Sequence, residues 1–304
     1  MLMGKNNFAV QDDIKIDNKK RLTSGNPWYE AWRRLRKSPI GMAGLTIIIF
    51  LIIIAIFAPY IAPHDPISQN IMARYKAPSA KHWLGTDEMG RDILSRIIYG
   101  SRISLKVGIF SVSLALIFGV GLGLMAGFYG GVIDMLIMRF MDIMLAFPAI
   151  LLAIGIVAIL GPRLENAMMA IAIINIPRFA RIVRSSVISL KESEYIKAAK
   201  VLGANDFRIL TNHILPNAMA PLIVQTTLSI ATAILEAAAL SFLGLGAQPP
   251  SPEWGAMLSD ARSALQKAPW VATFPGLAII FSVLGFNLLG DGLRDALDPK
   301  MKNT

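Results

Sequence analysis

The sequence predicts an all-α membrane protein with six transmembrane helices. Hydrophobic residues make up 54% of the chain and charged residues only 16%, whereas soluble domains carry about a quarter charged residues. The mean hydropathy is +0.54. Uncharged runs of about 20 residues, the length that crosses a bilayer, recur along the chain. Five are complete: 40–62, 107–131, 143–162, 214–235 and 268–290. A sixth, 166–177, is too short alone and reaches spanning length if Arg178, Arg181 and Arg184 occupy its last turns and snorkel to the headgroups.

Residues 1–25 are polar, mixed in charge and without apolar periodicity, which predicts a mobile tail. Asn26 and Pro27 form an N-cap and first-turn pair. Trp28, Ala31, Trp32 and Leu35 then recur at helical spacing, with Arg33, Arg34, Arg36 and Lys37 turned away. This pattern fits an interfacial helix on anionic lipid, and equally a stop-transfer charge cluster. The apolar run after residue 39 is too long for a signal-peptide core, so it reads as an uncleaved signal anchor.

The stretch from Ala62 to Leu84 reads as an extended loop. From Thr86 the pattern becomes helical, with Thr86 as cap, Asp87 and Glu88 in the first turn, and Met89, Ile93 and Ile97 on one face. Asp87 with Arg91, and Asp92 with Arg96, are acid-before-base pairs at i,i+4. The second span carries GVGLGLMAG, residues 119–127, whose glycines allow a second helix to come close. Between Trp254 and Trp270 lies a loop with an amphipathic piece and tryptophans at the interface. The expected organisation is a tail with its interfacial helix (1–39), a first span (40–62), an outer loop with an amphipathic helix (63–100), a five-helix core (101–291) containing an inner loop (185–214), and a C-terminal tail (292–304).

Six spans put both ends on one side. The N-terminal 39 residues, the loop 178–213 and the C-terminal tail carry 19 Lys and Arg, against 10 in the loops of the other side, so both termini are expected in the cytoplasm. The net charge of +10 is thereby assigned to inner loops and lipid rather than to a nucleic-acid partner. The chain has no cysteine, which excludes a disulfide framework, a thiolate metal site and a cysteine nucleophile. His64, His82 and His213 are too scattered in sequence to suggest a shared metal site, so no metal is expected. No G-x-x-x-x-G-K-[ST] phosphate loop occurs, so any ATP-hydrolysing motor belongs to another polypeptide.

The inner loop EYIKAAKVLGANDFRILTNHILP, residues 194–216, is polar and lies between two apolar segments. Ser189 and Glu192 form a capping-box pattern for a helix through Tyr195, Ala198, Ala199 and Leu202. Gly203 suits a left-handed C-terminal position, and Asn205 or Asp206 can cap a second short helix through Phe207, stopped by Pro216. Ala198, Ala199 and Gly203 lack bulk, so a partner could approach their backbone, with Tyr195 and Phe207 as aromatic anchors. The loop could equally pack on its own domain.

Two further sets of charges stand near the membrane. Arg139 and Asp142, spaced i,i+3 beside Asp134 at the cytoplasmic edge of the third span, fit a structural ion pair. Glu236 lies far into the fifth span, near its outer end, as a gate or ion-pair candidate.

The order A-A-x-x-x-G followed by L-P in this loop resembles the EAA loop of ABC-importer permeases. NPWYEAWRRLRKSPIGMAGL, HWLGTDEMGRDILSRIIYGSRISL, MRFMDIMLAFPAILLAI and LEAAALSFLGLG are similar to the C-type subunit of the dipeptide and oligopeptide permease family, over nearly the whole chain after residue 25. The resemblance implies a type I ABC-importer (MetI-like) permease fold working by alternating access in a bacterial or archaeal cytoplasmic membrane. It implies a homologous B-type permease subunit, two ATP-binding subunits that hold ATP and Mg, and an extracytoplasmic solute-binding protein, with no cofactor in this chain. It also implies an ATPase-coupling interface at Glu194, Tyr195, Lys197, Ala198, Ala199, Gly203, Asp206, Phe207 and Pro216. Lys197 stands where the family pattern usually has Glu, and His213 where it usually has Ile, so the loop shape carries over but an ion pair of that Glu does not. Similar permeases are associated with peptides, nickel chelates and other small solutes. A secondary transporter would need a midplane Asp, Glu or His and a channel would need a filter or charged ring; neither is evident.

Overall fold

The computed structural model describes residues 27–298, so the expectations for residues 1–25 and the cap at Asn26 fall outside the described residues. The regular structure of the described residues is helical, its one β feature an isolated bridge between Thr86 and Asp92. The helices are α1 (Pro27–Leu35), α2 (Pro39–Ile61), α3 (Ile93–Tyr129), α4 (Gly131–Ala146), α5 (Ala149–Leu160), α6 (Leu164–Lys191), α7 (Glu194–Val201), α8 (Asp206–Ile209), α9 (Leu215–Phe242), α10 (Trp254–Asp260) and α11 (Trp270–Leu297). Two apolar clusters share α9. One joins it to α3, α5 and α6; the other joins it to α2, α10, α11 and the start of α3.

Helix α1 turns its aromatic residues Trp28, Tyr29 and Trp32 outward and buries Leu35. The Ser38 hydroxyl then caps α2, accepting from the Gly41 amide at 3.1 Å, with Pro39 in the first turn where its missing N–H costs nothing. Pro59 deprives the Ala55 carbonyl of its helical donor. Arg102 of α3 substitutes, its Nε donating to Ala55 O and its Nη2 to Ile56 O at 2.8 Å.

The predicted helix start at Thr86 is not observed. Residues 86–92 form a tight turn, with Gly90 at φ +70°, and α3 begins at Ile93 with Asp92 as its cap, accepting from Ser95 N at 2.9 Å. Thr86 is spent on the loop, donating to Ala73 O. The Asp87–Arg91 pair forms at 2.6 Å, within this turn rather than along a helix. Asp92 turns to His82 and Ser95 instead of Arg96. Arg96 reaches Asp87 at 3.5 Å and the carbonyls of Pro66 and Pro250. A cap and a buried hydrogen bond together outweigh one i,i+4 pair, which is worth only a few tenths of a kcal/mol on a helix surface.

The glycines of α3 contact α6. A Cβ on Gly119 would lie 2.5 Å from Phe179 Cβ, one on Gly123 2.5 Å from Ala180 O, and one on Gly127 2.7 Å from Val187 Cβ. Residue numbers rise together along both helices, so α3 and α6 are parallel. Leu164 therefore lies about 34 Å along the axis from the level of Val187, at 1.5 Å per residue, and the chain must cross between Tyr129 and Leu164. The crossing is made by α4 and α5, bent by 95° at Phe147–Pro148. The third span is thus broken within the run predicted as continuous. Pro148 lacks an amide, and Phe147 is held in the extended region at ψ 142°. With this bent pair the described residues supply six crossings, five by single helices.

Helices α2 and α11 run antiparallel. Gly41 packs on Gly292, and Gly44 faces Gly285 and Leu289. The start of the first span and the end of the last therefore lie at the same end of the bundle, as an even number of crossings requires. α11 continues helical to Leu297, past the expected boundary at 291.

Trp254 is in the core and not at an interface. It is 1% exposed, and its indole N–H donates to Ile97 O at 3.1 Å. The preceding Glu253 is buried and caps α10, accepting from Ala256 N at 2.8 Å. Burial pushes its carboxyl above the usual range, opposed by the Gly255 and Ala256 amides and the Ser241 hydroxyl. With a folded pKa above the unfolded value of 4.5, its contribution to stability is complete below that value and is lost as pH rises through the folded pKa. Glu253→Gln, which cannot ionise, is therefore expected to flatten the decline of melting temperature over that window. Parallel wild-type and variant profiles in detergent would refute this.

Candidate functional site

The α7–α8 hairpin hangs at the end of the bundle where α3 terminates. Lys191 Nζ donates to Phe128 O at 2.6 Å, and Lys200 Nζ stands 5.1 Å from the centre of the Phe128 ring. The hairpin is anchored by Ile196 and Ile209, both fully buried in the α3–α6–α9 cluster. The opposite side is open. Val201 and Leu202 are each 87% exposed, Phe207 75% and Tyr195 44%. Glu194, Lys197, Ala198, Asp206 and Pro216 are exposed as well, and Ala199 is half-buried.

The turn between the helices is made as the sequence predicts. Gly203 has φ +83°; its amide donates to Lys200 O and that of Ala204 to Ala199 O, both at 3.0 Å. This paired pattern closes a helix on a left-handed residue and satisfies its last carbonyls. Asn205 caps α8, accepting from Arg208 N at 2.8 Å, so the cap falls to Asn205 of the two candidates.

Two details differ from expectation. α6 continues through Lys191, which places Ser189 inside a helix, and Ser193 takes the cap position of α7. Pro216 does not stop α8. Residues 210–214 form a π-helical turn that runs on into α9, with Leu215 N donating to Leu210 O. The wider turn absorbs the amide that Pro216 lacks, and Asn217 Nδ2 donates to the nearby His213 carbonyl at 2.6 Å. The second helix of the hairpin is therefore continuous with the spanning helix α9.

The charges of α4 pair across to α6. Asp142 receives Arg181 at 2.6 Å, and Asp134 receives both Nε and Nη2 of Arg184, at 2.5 and 2.6 Å. Arg139, the expected partner of Asp142, is exposed and in no ion pair among the described residues. The three arginines predicted to snorkel thus divide. Arg181 and Arg184 hold the bent third span to the fourth, and Arg178 enters a third network.

That network contains Glu236. Asn175, 1% exposed, donates from Nδ2 to Glu236 Oε2 at 3.0 Å and to Ile171 O at 2.8 Å, while its Oδ1 accepts from Arg178 Nη1 at 3.2 Å. The Asn175 amide thereby bridges the Arg178 guanidinium and the Glu236 carboxyl, with both its nitrogen and its oxygen hydrogen-bonded. Glu236 lies about 9 Å from the end of α9 at 1.5 Å per residue. Sequence reading found the acid and missed Asn175, whose signal is a lone amide in an otherwise apolar run.

Comparison with known proteins decides the family. Residues 119–303 match the model described as the binding-protein-dependent transport system inner membrane component. Residues 26–78 match the N-terminal TM domain of oligopeptide transport permease C. The chain belongs to this permease family. The permease is 61% identical to the dipeptide transport system permease protein DppC of Alkalihalophilus pseudofirmus, over 92% of each chain. It is 52% identical to the glutathione transport system permease protein GsiD of Pectobacterium atrosepticum, over 91% of this chain and 92% of that one. Among solved structures, a chain of the inward-facing MetNI methionine ABC transporter superposes with a TM-score of 0.55 at 19% identity, covering 68% of the permease and 98% of that chain. The fold is thus that of a MetI-type permease, and the protein is a multi-pass ABC-importer permease of the bacterial inner membrane.

Proposed function

We propose that this permease imports di- and oligopeptides by alternating access, together with a homologous B-type permease, two ATP-binding subunits and an extracytoplasmic solute-binding protein. ATP and Mg reside in the ATP-binding subunits. Both termini and the α7–α8 hairpin face the cytoplasm, as the excess of basic residues on that side supports.

The observation that carries the reading is the hairpin's two-sidedness. Ile196 and Ile209 are fully buried, while Val201, Leu202 and Phe207 project from the end of the bundle. Large apolar side chains left open on a rigid, small-residue turn are what a docking partner covers. Glu194, Tyr195, Lys197, Ala198, Ala199, Gly203, Asp206 and Phe207 form that contact, and Pro216 joins it to α9. Rigid-body movement then passes along the unbroken 206–242 helix. Peptide cargo is supported by the relatives, permeases of dipeptide and glutathione transport systems; a nickel chelate or another small solute is the alternative cargo.

Co-purification from membranes tests the assembly, and ATP-dependent uptake of labelled dipeptide into vesicles tests the transport. Recovery of P-loop ATPases with the chain, and uptake that stops without ATP, are expected. Uptake by this chain alone in liposomes would defeat the reading. Phe207→Ala is expected to weaken ATPase association at least tenfold without lowering the amount of permease in the membrane, since the ring touches little of its own chain. Unchanged co-purification would remove Phe207 from the interface.

A further inference from the structure

At the end of the bundle opposite the hairpin, the described residues bring together His64, His82 and Asp92. One ligand atom from each lies within 4.8 Å of the other two. Sequence separation made these histidines look unrelated. The fold joins them because His64 follows directly on α2, His82 lies in the connecting loop, and Asp92 caps α3.

His82 Nδ1 is 2.9 Å from Asp92 Oδ1, and the two imidazole rings meet edge to face with centres 4.8 Å apart. His82 and Asp92 are buried, and the Nε2 atom of His64 is buried without a hydrogen-bond partner. A buried ring nitrogen left unpartnered is an exception in folded proteins. Here it belongs to a histidine whose neighbours are a second imidazole and a carboxylate.

We infer that His64, His82 and Asp92 form a binding site for a zinc-class divalent transition metal. Two imidazoles and a carboxylate are a donor set for a borderline ion such as Zn²⁺, and are poorly suited to Mg²⁺ or Ca²⁺, which take oxygen shells. Zinc bonded at about 2.0–2.1 Å places tetrahedral ligands roughly 3.4 Å apart. The His82–Asp92 contact is close to that spacing, and a small rotation of the half-buried His64 ring brings in the third ligand. The metal takes the place of the hydrogen between His82 Nδ1 and Asp92 Oδ1. In a neutral His82 with its proton on Nδ1, that proton moves to Nε2 as the metal binds. A solvent water fills the fourth position. Bound metal clamps the loop 62–92 to the start of α3, whose cap is already Asp92 through Oδ2 and Ser95 N.

The test uses the full chain purified without a polyhistidine tag, exposed to Zn²⁺ and desalted, with metal measured by mass spectrometry and affinity by chelator competition. About one zinc per chain is expected. The double variant His64→Gln/His82→Gln should bind at least tenfold more weakly, with His213→Gln unchanged. Zinc should raise the melting temperature of the wild type and not that of the double variant. Equal retention by wild type and double variant overturns the site, as does wild-type binding no better for Zn²⁺ than for Mg²⁺. Should the double variant fail to fold, X-ray absorption at the zinc edge of the wild type decides. Imidazole scattering supports the site, and a shell of oxygen alone overturns it.

Discussion

Gly203→Val is expected to abolish ATP-driven uptake while leaving the permease in the membrane at wild-type abundance. The cause is backbone conformation and not crowding, because a Cβ at this position would meet nothing within 4 Å. At φ +83° a β-branched residue is strained by about 1–3 kcal/mol. The turn relieves that strain by opening, which releases the bonds from the Gly203 and Ala204 amides and swings α7 away from α8. The buried anchors Ile196 and Ile209 keep each helix on the bundle, so insertion and the spans survive while the relative placement of Val201, Leu202 and Phe207 does not. A graded series separates this from a steric effect. Gly203→Asn, which tolerates the left-handed region, should retain most uptake, Gly203→Ala less, and Gly203→Val least. The measurements are dipeptide uptake in vesicles, ATPase co-purification and membrane abundance. A valine variant that transports and assembles like the wild type would refute the role of this turn.

The second large effect is expected inside the membrane. Gly123→Leu should prevent accumulation of folded permease, and Gly121→Leu two residues away should be silent. A Cβ at Gly123 would lie 2.5 Å from the Ala180 carbonyl oxygen and 2.8 Å from Val183 Cβ, whereas at Gly121 it would meet nothing within 4 Å. A leucine at 123 must therefore push α3 off the backbone of α6, losing the dispersion contacts that hold membrane helices together where lipid is as apolar as the side chains. Overpacking of this kind costs about 1–3 kcal/mol where neighbours can give, and a helix backbone gives less than a side chain. Fluorescence-detected size-exclusion chromatography in mild detergent reads the outcome as loss of the monodisperse peak for Gly123→Leu alone. Equal behaviour of the two variants would mean that the α3–α6 packing described here is wrong.

The uneven legibility of the chain follows from the same contrast. GVGLGLMAG announces that a helix comes close, and α6 does so at Gly119, Gly123 and Gly127; the partner's identity and its parallel direction were not readable. Gly203 was readable to the residue because a left-handed helix end is a local conformational demand. Three prolines show the limit. Pro148 marks a bend of 95° in a span, Pro59 lies in a continuous α2 where Arg102 donates to the freed carbonyl, and Pro216 is absorbed by a π turn. The residue is the same in each case. What differs is the surroundings: Arg102 reaches Ala55 O from another helix, a local π turn with Asn217 accommodates Pro216, and at Pro148 the helix bends.

The apolar runs, the basic bias of alternate loops and the small-residue hinge were determined by the sequence alone, because bilayer and backbone respond to hydropathy, charge and φ one segment at a time. Only the tertiary structure decided that Asp142 takes Arg181 rather than Arg139, that Asn175 bridges Arg178 and Glu236, and that His64 meets His82. Polar side chains choose partners within about 3 Å, and in this bundle that distance is set by how helices far apart in sequence are laid side by side.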